Sequence, residues 1–94
     1  MRVVWSRRAI GNLLALRDYI AEDNPRSAAG IAQRILDTTQ LLTTQSHIGR
    51  AGRITGTREL VIAGTPYVIP YRVRGGALEL LAVFHGRQKW PENL

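Results

Sequence analysis

Between Arg58 and Phe84 three apolar runs are cut apart by two short breakers. That punctuation limits what the chain can fold into more than any other feature. Arg58–Ile62 stops at Ala63-Gly64-Thr65-Pro66, Tyr67–Val73 stops at Arg74-Gly75-Gly76, and Leu78–Phe84 comes last. Apolar, β-branched and aromatic runs bounded by Gly and Pro are what antiparallel hairpins require. In the last run Leu78, Leu80, Ala82 and Phe84 face one way while Leu81 and Val83 face the other. A strand that is apolar on both faces belongs in the interior of a sheet. Its free side is then the place for a short N-terminal strand, Arg2–Trp5, to dock. Pro70 cannot donate to a ladder, so its nitrogen is expected to face a bulge or an unpaired side.

Upstream, the period changes from two to helical. Ser6 stands where an N-cap should, and Ala9, Ile10, Leu13, Leu14, Leu16 and Ile20 then recur at helix spacing. A helix is expected from about Arg7 to Glu22. Asn24-Pro25 ends it and opens a second helix, with Asn as cap and Pro at the first position, running to about Thr44. Two long helices around one short turn make an antiparallel hairpin. Ser46–Thr57, with its caps and breakers and no apolar periodicity, reads as a loop. The expected fold is α+β, in the order β-α-α-β-β-β. The helical hairpin packs on one face of a small, mainly antiparallel twisted sheet, and residues 1–94 form a single domain. The apolar stripes of the first helix, Ile10/Leu14 and Leu13/Leu16, are broader than one sheet face needs. One edge is therefore expected to accept an amphipathic partner helix.

Composition narrows the function. A chain of 94 residues buries roughly 60–65% of its extended surface, so a partner that covers apolar area would stabilise it. No cysteine is present, which excludes disulfides and thiol chemistry, and His47 and His85 are the only imidazoles. A structural metal is not expected, and neither is a cofactor. No run approaches the ~20 apolar residues that span a bilayer, and no signal peptide is expected, so the cytoplasm is the default location and no membrane partner is expected. The net charge of +6, with twelve of thirteen cations Arg, points to a polyanion or an acidic protein as partner. Seven of those cations lie from Arg50 onward: Arg50, Arg53, Arg58, Arg72, Arg74, Arg87 and Lys89. Arg50 and Arg53 sit in a glycine-rich loop whose freedom lets two guanidiniums converge on one anion.

Several words of the sequence, in this order, resemble the RelE/ParE superfamily of toxins from bacterial type II toxin–antitoxin modules. They are Trp5-Ser6-Arg7-Arg8-Ala9, Tyr19-Ile20-Ala21-Glu22-Asp23-Asn24-Pro25 and Gly49-Arg50-Ala51-Gly52-Arg53. The hairpin words are Gly56–Val61 and Thr65–Val73, and the exit word is Val83-Phe84-His85-Gly86-Arg87-Gln88-Lys89-Trp90-Pro91. The resemblance covers nearly the whole chain. It implies a toxin that arrests growth and is held inactive by a cognate antitoxin whose C-terminal segment wraps it, in a hetero-oligomer that meets operator DNA only through the antitoxin.

The superfamily divides by mechanism. ParE-like members poison DNA gyrase, and RelE-like members cleave mRNA on the ribosome without a metal. Cleavage would need a base for the 2′-OH, a cation for the phosphorane and an acid for the leaving oxygen. Imidazole is the side chain whose ordinary titration range best suits such work, and His85 sits where the last strand exits. Arg58 and Arg72 are the candidate catalytic cations, with Arg87 also placed to hold phosphate. Arg50, Arg53, Arg87 and Lys89 are the candidate anion- or target-binding residues. Arg72 alternatively pairs with Glu59 or Glu79, and Trp90 packs back on the core. RelE-like chains often carry Arg after the aromatic that opens the middle strand, where this chain has Val68. They often end in Tyr, where this chain has Trp90-Pro91. These departures and the long helical hairpin favour a ParE-like gyrase poison. A RelE-like mRNA endonuclease is the alternative, and a non-toxic binding or regulatory subunit is the second.

Overall fold

A computed structural model describes all residues, Met1–Leu94. The order is β1 (Arg2–Trp5), α1 (Arg7–Asp23), α2 (Pro25–Gln40) with a 3₁₀ turn (Leu41–Thr43), then β2 (Arg50–Ala51), β3 (Arg58–Val61), β4 (Tyr67–Arg74), β5 (Ala77–Leu80) and β6 (Phe84–His85). The strands form one sheet in the order β1-β5-β4-β3-β2, with β6 also pairing β4. All pairs are antiparallel except β1 with β5, which is parallel and sets Arg2 beside Ala77 and Trp5 beside Leu80. The expected α+β architecture, with a helical hairpin on a mainly antiparallel sheet, is what the chain adopts. No helix is long and apolar enough to cross a membrane.

The caps work as the sequence implies. Ser6 Oγ accepts from the Ala9 N–H at 3.0 Å and Asn24 Oδ1 from the Ser27 N–H at 3.1 Å. Each such cap contributes about 1 kcal/mol. Along α2 and the 3₁₀ turn the buried and half-buried positions Ala28, Ile31, Ile35, Thr39 and Leu42 recur every three or four residues and face the sheet. They meet Leu60, Ile62, Ile69, Tyr71, Leu78 and Leu80, which alternate along β3, β4 and β5 and form the core. On α1, Leu13 and Leu16 pack against that core, whereas Ile10 and Leu14 stay exposed. Gly75 and Gly76 both have positive φ, +60° and +74°, and so supply the tight two-residue turn between β4 and β5.

Three expectations need correction. Ser46–Thr57 is not all loop, because Arg50–Ala51 forms a short edge strand on β3. The run Leu78–Phe84 is not one strand either: it breaks over Leu81–Val83 and resumes as β6. Pro70 is the reason. A strand residue points its nitrogen and carbonyl to the same neighbour, and the Pro70 carbonyl accepts from the Leu81 N–H at 2.9 Å. The missing donor therefore faces the break, as a proline in an interior strand requires. Helix α1 and its N-cap meet the orphaned groups: Ser6 Oγ donates to the Leu81 carbonyl at 3.0 Å, and Asn12 Oδ1 accepts from the Val83 N–H at 3.0 Å. The second helix ends at Gln40 rather than near Thr44, its last turn tightening into the 3₁₀ segment.

Candidate functional site

The arginine-rich loop folds onto the face of the sheet away from the helices. Strand register puts Arg50 opposite Glu59, and the side chain of Glu59 is only 3% exposed. Arg50 donates through Nε and Nη2 to Glu59 Oε1, at 3.1 and 3.0 Å. Arg53 donates through its backbone N–H, at 2.8 Å, and through Nε, at 3.1 Å, to Oε2. Burial pushes this carboxyl up, but the Arg53 N–H, then the Arg53 guanidinium, then that of Arg50 outweigh it and hold its pKa below the ordinary 4.5. The two guanidiniums do converge on one anion, and it is the chain's own.

Glycines make the clamp possible. A Cβ at Gly49 would lie 2.5 Å from the Tyr71 ring, and one at Gly52 would collide with Thr57. Tyr71 is fully buried; its hydroxyl donates to the Ser46 carbonyl at 2.8 Å and accepts from the Gly49 N–H at 2.9 Å. Arg53 also lies 3.5 Å over the ring of Trp90, which rests on Phe84 with centroids 5.0 Å apart. Trp90 thus closes over the core edge, its Nε1 buried without an acceptor.

Of the remaining candidates, Arg58 and Arg72 share a hollow of about 200 Å³ with His47 and Tyr71, and His85 lies apart from it. Arg58 Nη1 donates to the Gly49 carbonyl at 2.9 Å, tying down the loop. Arg72 donates to Glu79 at 3.0 Å on the open face, so of its two candidate partners it takes Glu79. His85 pairs with Tyr67, whereas Arg58 pairs with Tyr71, four residues further along β4. At ~3.3 Å per residue, His85 and Arg58 stand about 13 Å apart along the strand. Arg72 adjoins Tyr71 and so points to the opposite face from His85. Thus the three side chains that would share the work of RNA cleavage line no common cavity. Arg87 and Lys89 follow His85 in the chain, exposed and without an ion pair.

His85 lines an open groove of about 350 Å³ between α1 and the sheet, with Asn12, Leu16, Tyr19, Tyr67 and Gln88. Its Nδ1 accepts from the Arg87 N–H at 3.1 Å, which in the neutral ring leaves the proton on Nε2. Tyr67 meets the imidazole edge to face, with centroids 5.9 Å apart. Burial, and then the neighbouring Tyr19, push the Tyr67 phenol up, so it stays a neutral hydrogen-bonding group. Tyr19, on α1, is 73% exposed at the mouth. The sequence pattern did not single out Asn12, Tyr19, Tyr67 or Gln88 as site residues. Tyr19 and Tyr67 stand only within the words of the resemblance, and the packing of α1 on the sheet brings them together.

The geometry thus offers an open aromatic groove between α1 and the sheet and, on the other face, an arginine clamp closed on the chain's own carboxylate. Comparison with known proteins gives the family. Residues 3–90 match the family described as ParE toxin of type II toxin–antitoxin system, parDE. The chain is 42% identical over 93 residues to the toxin-designated protein Y4kP of Sinorhizobium fredii, covering 99% of this chain and 96% of that one. It is 37% identical over 84 residues to Toxin RelE2 of Caulobacter vibrioides, covering 89% and 93%. A solved structure of the chromosomal ParDE TA system from P. aeruginosa superposes with a TM-score of 0.83 at 27% identity, covering 90% of this chain and 95% of that one. The chain belongs to the ParE toxin family and is a toxin of a type II toxin–antitoxin system.

Proposed function

We propose that this toxin acts on DNA gyrase and does not cleave mRNA. The observation that supports this most is the distance of His85 from Arg58 and Arg72, both of which are tied by bonds within the chain. Metal-free cleavage needs its base, its acid and its phosphate clamp around one scissile bond. Membership of the ParE family points the same way. The relative named RelE2 makes mRNA cleavage the outcome to test against.

The partner that silences the toxin is a cognate antitoxin, as the name of the ParDE neighbour implies for that system. Its seat on this chain is the groove beside His85, where Tyr19 and Tyr67 offer aromatic area with polar tips and Asn12 and Gln88 offer amides. The toxin then works in the cytoplasm within a hetero-oligomer, and reaches operator DNA through the antitoxin. Arg87 and Lys89, free at the edge, contribute to target contact.

Induction of the chain in a host without the antitoxin tests the target. Thymidine incorporation should fall before amino-acid incorporation, and purified toxin should trap gyrase–DNA cleavage complexes. His85→Ala should leave that trapping intact. Early loss of amino-acid incorporation, abolished by His85→Ala, would establish ribosomal mRNA cleavage instead. If neither falls, the chain is a regulatory subunit.

A further inference from the structure

About half of the thirteen cations of this chain are satisfied internally, and the free ones are informative where they fall together. Arg50 and Arg53 hold Glu59, Arg72 holds Glu79, Arg17 holds Asp18, and Arg34 and Arg58 donate to backbone carbonyls. Arg2 and Arg74, like Arg7, Arg26, Arg87 and Lys89, have no such partner. Register places the first two in one row: Arg2 is opposite Ala77 on one side and Arg74 is opposite Ala77 on the other. All three point to the open face. At ~4.8 Å per strand spacing, the two arginine backbones stand about 10 Å apart. Between them lies a shallow hollow of about 290 Å³ lined by Arg2, Val4, Arg74, Gly75, Ala77 and Glu79. The single carboxylate there, Glu79, is already engaged by Arg72.

The ligand follows from what the hollow has and lacks. Two guanidiniums free of counter-charge, over a floor of Ala77 and Gly75, suit an anion that must come close to backbone. No deep apolar pocket is present for peptide side chains, Val4 being the only large apolar residue on the rim. The open face of the sheet carries five arginines, Arg2, Arg50, Arg53, Arg72 and Arg74, against only Glu59 and Glu79. A phosphate diester chain, with a charge every ~3.4 Å along each strand, matches a row of cations on a flat face.

We propose that Arg2 and Arg74, straddling Ala77, form a contact site for the phosphate backbone of duplex DNA. This deepens the gyrase reading and takes its setting from it, since gyrase holds DNA, but it stands on different residues. The toxin then binds the enzyme and the nearby duplex together.

The test is binding of the full-length toxin to a 30-base-pair duplex of arbitrary sequence across a salt series, read by fluorescence anisotropy. Loss of two phosphate contacts should reduce the slope of log K against log salt by about 1.8 in Arg2→Ala/Arg74→Ala. At 100 mM salt the same variant should bind at least tenfold more weakly. Ala77→Glu, which sets a carboxylate between the two arginines, should weaken binding similarly with every arginine kept. Arg7→Ala/Arg26→Ala, which removes two cations from the helices, should leave the slope in place. Equal losses in both double variants would reduce the site to diffuse charge and overturn it, as would a wild-type chain that binds no duplex. Gyrase trapping by wild-type toxin is scored in parallel. Trapping without Arg2/Arg74-dependent DNA binding sinks this proposal alone, and such binding without trapping sinks the gyrase reading alone.

Discussion

Two regions concentrate the polar chemistry of this toxin, and they spend it in opposite directions. Around Glu59, donors and acceptors are turned inward: two guanidiniums and a backbone N–H close on one buried carboxylate, and Tyr71 bonds the loop from beneath. Around His85, the ring is fixed by the turn that follows it, while Tyr19, Tyr67 and Gln88 line a groove open to solvent. The first region resembles a core built from charged parts. The second keeps hydrogen-bonding capacity for something outside the chain. An arginine-rich motif is therefore a poor guide to a binding site until its counter-charges have been located.

If that contrast is right, damage to the first region should appear in stability. The largest effect is expected from Gly49→Ala, whose Cβ would press on a Tyr71 ring that is buried on all sides. Overpacking of this kind costs about 2–3 kcal/mol. For a chain of this size that lowers the melting temperature by roughly 10–20 °C. An unchanged melting curve would mean that Tyr71 is free to move, and the clamp would lose its foundation.

Glu59→Ala comes next, at about 2 kcal/mol in urea unfolding, because it removes hydrogen bonds to charged groups while the half-exposed arginines regain water. Its pH signature has a definite sign. The folded-state pKa lies below the ordinary 4.5, so the unfolded chain takes up the proton first. The stabilisation is complete above that value and is lost as pH falls through the folded pKa. Glu59→Gln should flatten this acid limb, and an acid limb identical to the wild type would assign it to other carboxylates. Trp90→Ala should cost less, about 1–2 kcal/mol, from its contacts with Phe84 and Arg53. Trp90→Phe should cost less still, since the indole N–H has no acceptor to lose.

The sequence announces the elements better than it announces the site. Period, caps and breakers place α1, α2, β3 and β4 within a few residues, because those signals are local. The break at Leu81–Val83 is half legible: Pro70 shows that a donor is missing, but not that Ser6 and Asn12 would supply the bonds. The arginines are the harder case. That Arg50 and Arg53 converge can be read from Gly49-Arg50-Ala51-Gly52-Arg53. That the anion is Glu59 depends on the two-residue strand β2, which is too short to leave a pattern. His85 stands out by residue type, yet its distance from Arg58 and Arg72 is set by register and by which face each occupies. A single sequence does not carry those pairings.

The smallest effect on stability should come from the groove, and it sharpens the comparison most. Tyr19 is the most exposed of its aromatic residues, so Tyr19→Ala should change unfolding free energy by no more than about 0.5 kcal/mol. The same substitution should weaken capture by the antitoxin about tenfold, since an aromatic anchor at the centre of an interface contributes at least about 1–2 kcal/mol to binding. Toxin–antitoxin titration by calorimetry, with melting curves of the free chains, separates the two readouts. Affinity lost at constant stability would mark the groove as the surface that faces outward. Stability lost at constant affinity would reverse the assignment: the groove would be structural like the clamp, and the antitoxin would have to sit on the exposed Ile10/Leu14 stripe of α1 instead.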